Sequence, residues 1–96
     1  MKLGIIISSF RKEKGLKQGQ LARELGISQT YLSQIERDKK EPNLSLLKKI
    51  AKQLNIPLPI IFFFSLEAED LPENKRNIFN KIFPKAKNLI LSGLLN

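Results

Sequence analysis

The sequence predicts an all-α fold made of short helices. Apolar residues recur at helical spacing along most of the chain, as Leu3, Ile7 and Phe10 do near its start. Glycines and prolines fall between these stretches, where a helix ends or a turn begins. No strand-like alternation outweighs this helical pattern, although the run IIFFF is ambiguous by itself. We therefore expect helices joined by tight turns.

Five helices are predicted within residues 1–64. The first ends before Gly15, a residue suited to the position just past a helix end. Gly26 lies between the second and third helices, where a tight turn needs a residue that accepts a positive φ. Ser28 and Asn43 precede the third and fourth helices and can cap them. The predicted helices cover 2–14, 18–25, 28–37, 44–54 and about 58–64.

The remaining residues, 65–96, are predicted to form a C-terminal helical extension. Two apolar stripes at helical spacing occupy 71–83 and 86–95, and Pro84 is expected to interrupt the helix between them. Neither stripe can bury its apolar face alone, because a short isolated helix is marginal in water. We expect the extension to form a homodimer with a second copy, and capping of the monomer is the alternative.

Charge separates the two parts of the chain. Residues 1–56 carry twelve Lys/Arg and five Asp/Glu, a net charge of +7, whereas residues 57–96 carry five and four, a net charge of +1. A basic domain beside a nearly neutral segment fits a polyanion-binding domain with a separate interaction segment.

Several classes of function are excluded by composition. The chain has no cysteine and no histidine, which rules out a disulfide framework, Cys/His zinc sites and imidazole chemistry. Its nine carboxylates form no convincing acid/base pair and no metal-ligand spacing. We therefore expect no enzyme, no cofactor and no metal site.

The apolar runs do not predict a membrane protein. The N-terminal run lacks the length and cleavage region of a signal peptide. The run LPIIFFFSL at 58–66 is far shorter than the roughly 20 residues that span a bilayer. A cytoplasmic, nucleoid-associated protein without a membrane partner is expected.

The stretch GLKQGQLARELGISQTYLSQIERDKKEPNLSLLKKIAKQLNI resembles the Xre family, the lambda-repressor-like helix-turn-helix domains of phage repressors, Cro proteins and many bacterial regulators. The resemblance covers about residues 3–64. It implies a five-helix bundle that binds double-stranded operator DNA, usually as a dimer. It rests on RKEKGL at the end of the first helix, Gln18 opening the second, Leu21-Ala22, Gly26, the YLSQIE recognition helix, and Pro42 before the fourth helix.

Four side chains of the predicted recognition helix are candidates for reading bases. Gln29 and Thr30 fall in its first turn. Gln can pair with adenine N6/N7, and Thr can bond a base or touch a thymine methyl. Ser33 and Gln34 lie about one turn further along. The alternative for all four is a solvated helix face.

A second group of side chains is expected at DNA phosphates on both sides of this helix. Instead of contacting a phosphate, Gln18 could cap the second helix, and Tyr31 could pack on the preceding helix. Arg11 and Glu36 resemble a structural ion pair between the first and third helices of several family members. The phosphate candidates are Lys17, Gln18, Tyr31, Arg37, Lys39 and Lys40.

The chain departs from the family at several positions. Asp38 stands where glycine is usual, and a carboxylate near phosphates is a cost. Gly19 stands where a helix former is usual, at about 1 kcal/mol of helix propensity, and is expected to let the backbone approach a phosphate. Ile5 and Ile6 are apolar where the family is polar, which offers a further surface for the dimer.

The sequence thus predicts a sequence-specific transcriptional regulator, most simply a repressor that binds a pseudo-palindromic operator as a dimer. Its half-sites would lie roughly 10 bp apart. An antitoxin or a restriction-modification controller is an alternative within the family. A protein-interaction adaptor is an alternative from another class, and the net charge of +7 over residues 1–56 argues against it. The sequence names no small-molecule or protein effector.

Overall fold

The computed structural model describes residues 1–95, with the backbone alone at 94 and 95. This part of the chain contains six α-helices and one 3₁₀ turn, and no strand. It divides into two units, Met1–Ser65 and the residues from Leu66 onward. The all-α prediction is confirmed, with five helices in the first unit and a single one in the second, where two were expected.

The helices of the first unit lie within one residue of their predicted bounds. Two predicted caps are present: Ser28 Oγ accepts from the backbone N–H of Tyr31 at 3.0 Å, and Asn43 Oδ1 accepts from that of Leu46 at 2.8 Å. Such caps satisfy backbone donors that the first turn leaves unpaired. The helices are α1 (Leu3–Glu13), α2 (Gln18–Leu25), α3 (Gln29–Glu36), α4 (Leu44–Leu54) and α5 (Leu58–Ser65).

One apolar core joins these five helices. α1 packs on α3 and α5, and α2 packs on α3 and α4. The rings of Phe10 and Phe64 meet edge to face at 5.6 Å between α1 and α5. Fully burying an aliphatic side chain stabilises the fold by about 1.5–3 kcal/mol, so this core fixes where α3 lies. The side chains with the least exposure are Ile7, Leu21, Leu32, Ile35, Ile50, Leu54 and Ile61.

The second unit is dominated by one helix, α6 (Glu73–Leu95), which contains Pro84. The predicted break at Pro84 is therefore wrong. A proline inside a helix removes one backbone hydrogen bond and crowds the preceding turn. Two contacts between side chains four residues apart lie next to the proline: Phe79 and Phe83 stack at 4.3 Å, and Lys87 Nζ lies 5.2 Å from the centre of the Phe83 ring. Such pairs contribute a few tenths of a kcal/mol each, which offsets only part of the cost.

The acidic stretch before α6 is folded against its first turns. It forms a 3₁₀ turn, Ala68–Asp70, in which Asp70 Oδ2 accepts from the backbone N–H of Glu67 at 2.8 Å. Arg76 Nε donates to the carbonyls of Ala68 and Leu71, both at 3.1 Å. Leu71 thus lies outside the helix that the stripe at 71–83 predicted. The side chain of Leu94, which belonged to the second predicted stripe, lies outside the described residues.

Candidate nucleic-acid interface

A tight turn sets the start of α3. Gly26 ends α2 with φ of +72°, the left-handed conformation that glycine adopts without strain. Its N–H and that of Ile27 bond back to carbonyls of α2, at 3.1 and 3.0 Å. Ser28 then returns to an extended conformation and caps α3. The first residue of α3 is consequently Gln29, at an exposed tip.

The four predicted base-reading residues share the outer face of α3. Its inner face is buried through Leu32, Ile35 and Glu36. Residues four positions apart share one side of a helix, and two adjacent rows of this kind, outside the buried face, make up the predicted reading set. Its members are Gln29 and Thr30, which are exposed, and Ser33 and Gln34, which are half-buried.

Arg11 and Glu36 form a buried bidentate ion pair between α1 and α3. Arg11 Nε lies 2.8 Å from Glu36 Oε2, and its Nη2 donates to Oε1 at 3.0 Å. Arg11 Nη1 also donates to the carbonyl of Leu16 at 2.8 Å, so the guanidinium is held at both ends. Parallel N–H···O bonds of this kind add geometric specificity to the charge attraction. The pair fixes α3 against α1.

A chain of hydrogen bonds continues from this ion pair to the tip of α3. Gln18 Nε2 donates to Glu36 Oε1 at 3.1 Å, and Gln29 Nε2 donates to Gln18 Oε1 at 3.4 Å. An ionised carboxylate only accepts, so Gln18 must turn its NH₂ group toward Glu36. Its oxygen is then left for Gln29, which must supply a donor in turn. Through Gln18, the Glu36 carboxylate thereby favours an orientation in which the Gln29 NH₂ group faces Gln18.

The side chain of Gln18 does not cap α2, which was one alternative for it. It is half-buried and donates to Glu36, while its backbone N–H lies at the start of α2. Within the described residues, no side chain caps α2, whose preceding residue is the exposed Lys17. Unpaired N–H groups at a helix start, together with the helix dipole, favour an anion.

The basic loop after α3 is held to the end of that helix. The backbone N–H groups of Lys39 and Lys40 donate to the carbonyl of Gln34 at 2.9 and 3.3 Å. Arg37 Nε donates to the carbonyl of Ser33 at 3.3 Å. All three cationic side chains are exposed. The loop therefore presents positive charge beside the outer face of α3.

Tyr31 is half-buried on α3, and its backbone N–H is taken by the Ser28 cap. Of the other phosphate candidates, Gln18 contacts Gln29, Lys17 directly precedes Gln18 in the chain, and the loop with Arg37, Lys39 and Lys40 follows α3 directly. Their contact with DNA stays a prediction.

The close contacts at Gly4 and Gly19 were not predicted. Asp38 has φ of +58° and accepts from the backbone N–H of Gly4 at 2.8 Å. A Cβ at Gly4 would collide with the carbonyl oxygen of Ile35, so this glycine lets α1 approach the end of α3. The available signal was an isolated glycine within a helical pattern, which often marks close packing. At Gly19 the near neighbour is the side chain of Gln29, and the expected approach of its backbone to a phosphate stays a prediction.

The described residues contain no group of three or more His, Cys, Asp or Glu arranged to hold a metal ion. Among residues 1–95, no helix combines the length and apolar character that crossing a membrane requires.

The sequence model of the helix-turn-helix family HTH_3 matches residues 7–61, more than half of the chain. The chain belongs to the Xre-like helix-turn-helix family. The family resemblance seen in the sequence is thus confirmed, and the proteins of this family are DNA-binding transcription regulators.

One relative spans nearly the whole of this helix-turn-helix protein. The immunity repressor protein of Bacillus phage phi105 is 43% identical over 105 aligned positions, covering 97% of this chain and 72% of that protein. The ImmF control region 10 kDa protein of the same phage is 45% identical over 60 residues, covering 62% of this chain and 67% of that protein. The transcriptional regulator SinR of Bacillus subtilis is 36% identical over 55 residues, covering 56% and 50%.

Solved structures show the same fold. A crystal structure of the clp gene regulator ClgR from Corynebacterium glutamicum superposes with a TM-score of 0.68 over 90% of this chain and 92% of that chain, at 24% identity. A second ClgR structure gives a TM-score of 0.61 at 33% identity, over 64% of this chain and 79% of that chain.

Proposed function

We propose that this protein is a transcriptional repressor that binds a pseudo-palindromic operator as a homodimer. The observation that carries the proposal is the capped, exposed tip of α3, where the Gln29 amide is oriented through Gln18 and Glu36. The repressor role is supported by the likeness to the phi105 immunity repressor. In the proposed complex α3 enters the major groove, as the second helix of this motif does.

The chemistry of Gln29 suits adenine. One N–H of its amide is directed to Gln18, which leaves the second N–H and the carbonyl oxygen. These two groups match the N7 acceptor and the N6 donor of adenine in the major groove. Thr30 beside it can bond a base or touch a thymine methyl. Ser33 and Gln34, one turn further along, are proposed to read neighbouring base pairs.

Phosphates on both sides of the groove are proposed to hold α3 in register. On one side the free N–H groups at the start of α2, with Lys17 and Gln18, face the backbone. On the other side the loop after α3 supplies Arg37, Lys39 and Lys40, and Tyr31 lies nearby. Each phosphate neutralised releases counterions, so affinity falls steeply with salt.

A dimer is proposed because one α3 reads only a few base pairs. Two copies would place their recognition helices about one helical turn of DNA apart, roughly 34–36 Å. Residues 1–64 would form the DNA-binding domain, and residues 65–96 would form the dimer contact. Occupying a promoter in this way blocks transcription at the nucleoid.

A selection of bound duplexes from a random pool tests the proposal, because it returns the operator, its symmetry and its half-site spacing together. We expect an inverted repeat, with a difference in affinity between operator and random duplex of about 10³-fold or more. Binding to random duplex should weaken linearly on a log–log plot against salt. An adaptor that uses this fold only for protein contacts would enrich no sequence and show no salt-dependent binding.

A further inference from the structure

The backbone does not require glycine at residue 19. Gly15 and Gly26 have φ of +73° and +72°, which a residue with a side chain adopts only with strain. Gly19 instead lies inside α2, with helical backbone angles. A glycine within a helix lowers helix stability relative to alanine. The space around Gly19, and not its backbone conformation, is what distinguishes it from Gly15 and Gly26.

That space is bounded by the side chain of Gln29. A Cβ built on Gly19 would lie 3.1 Å from Gln29 Oε1 and 3.6 Å from Gln29 Cδ, and both atoms belong to the amide group. The first distance is shorter than ordinary van der Waals contact, so the amide would have to move by a few tenths of an ångström. Gly93, a helical glycine in α6, has no such neighbour within 4 Å.

A small movement matters because the Gln29 amide is weakly held. Its bond to Gln18 is 3.4 Å long, at the far end of the useful range. Pushing Oε1 away from α2 would break this bond and release the amide from the orientation that Gln18 imposes. The amide would then reach a base edge in several orientations instead of one, and a bidentate contact needs a fixed one.

We propose that Gly19 is a specificity-determining residue, which leaves room for the Gln29 amide to lie against α2 and present one fixed face to an adenine. The inference rests on the proposed function, in which α3 reads base edges. Gly19 touches no base itself; it positions Gln29. Glycine at this position thus lowers the stability of α2 and strengthens the preference for one base at one base pair.

The test is Gly19→Ala in the full chain, measured on the selected operator and on duplexes with every base at each position. Preference should fall about 5-fold or more at one base pair per half-site, the same pair that Gln29→Ala affects. The melting temperature should rise by about 2–5 °C, because alanine is the better helix former. Gly93→Ala is the matched control and should leave the base preferences unchanged.

The double variant with Gln29→Ala decides the mechanism. In that background Gly19→Ala should change no base preference, since the side chain that it displaces is gone. An unchanged or sharper preference in Gly19→Ala alone, an equal loss at every base pair, or a loss that persists beside Gln29→Ala would each overturn the inference. A wild-type chain that selects no operator would overturn the proposed function, and this inference with it.

Discussion

Asp38 caps α1 from the end of α3: its Oδ1 accepts from the backbone N–H of Gly4 at 2.8 Å. The residue before α1, Lys2, supplies no side-chain cap, so a residue 34 positions away takes that role. A carboxylate is favoured at a helix start by the unpaired N–H groups and the helix dipole. The Asp38 carboxylate, which the sequence predicts to be unfavourable near DNA phosphates, thus joins α1 to the loop that carries Lys39 and Lys40.

Replacing Asp38 by alanine should lower the free energy of unfolding by about 1–2 kcal/mol, because the cap is lost and alanine tolerates a positive φ poorly. Asp38→Asn keeps an acceptor and the same backbone tolerance, and it should cost little. Urea unfolding of the two variants and the wild type measures the difference. Equal stability of all three would show that the Gly4 contact contributes nothing.

Arg11→Ala should destabilise the fold by roughly 3–5 kcal/mol, because Glu36 would remain buried without its charge partner. The side chains of Arg11 and Glu36 are only 9% and 5% exposed. Thermal melting of Arg11→Ala, Glu36→Ala and the double variant forms a cycle. The double variant should lose less than the sum of the two single changes. Unchanged melting with weaker DNA binding would instead identify Arg11 as a phosphate contact.

The sequence predicted the elements well and the contacts between distant residues poorly. Helix bounds follow from local signals, such as Ser28 as a cap and Gly26 at a turn, and these were correct. The contact of Gly4 with Asp38 depends on how α1 meets α3, which no local pattern encodes. The predicted break at Pro84 was wrong because a proline disfavours a helix locally without always ending it, and α6 runs through residue 84.

In the candidate site, too, local features were predictable from the sequence and contacts between distant residues were not. The outer face of α3 could be read from periodicity and from the family resemblance. The orientation of the Gln29 amide could not, because it depends on Gln18 and Glu36, which come together only in the folded chain. The space at Gly19 is likewise a property of two helices meeting.

Gln29→Ala should cost about 1–3 kcal/mol of binding on the operator and relax the preference at one base pair. The reason is the loss of a bidentate partner at the tip of α3. Competition binding with duplexes that carry each base at each position measures this. Equal losses on operator and random duplex would mean that Gln29 contacts the backbone and reads no base.

Lys39→Ala and Lys40→Ala should weaken binding to operator and random duplex alike. Each lost phosphate contact should make the slope of log affinity against log salt shallower by about one unit. Lys48→Ala and Lys49→Ala, at exposed positions on α4, are matched controls of the same charge change. If all four variants share one slope, only the net charge of the protein matters and the loop makes no specific contact.

The last prediction concerns the exposed apolar face of α6. Ile78, Ile82 and Leu89 are 57%, 58% and 76% exposed, and their spacing places them within one narrow stripe of the helix. Burying each such side chain contributes about 1.5–3 kcal/mol, and a single copy of α6 leaves this face open to water. We expect a second copy to cover it in the dimer.

Ile78→Lys with Ile82→Lys should therefore convert a dimer into a monomer at micromolar concentration in analytical ultracentrifugation. Operator affinity should fall by about 10²-fold or more, because two half-site contacts no longer act at high effective concentration. Asn77→Lys with Asn80→Lys adds the same charge on other faces of α6 and should leave the dimer intact. A chain ending at Ser65 should behave as the monomer does. If that chain stays dimeric, LPIIFFF becomes the dimer contact. If the full-length wild type is monomeric and the two lysines only lower its melting temperature, the apolar face of α6 caps its own chain.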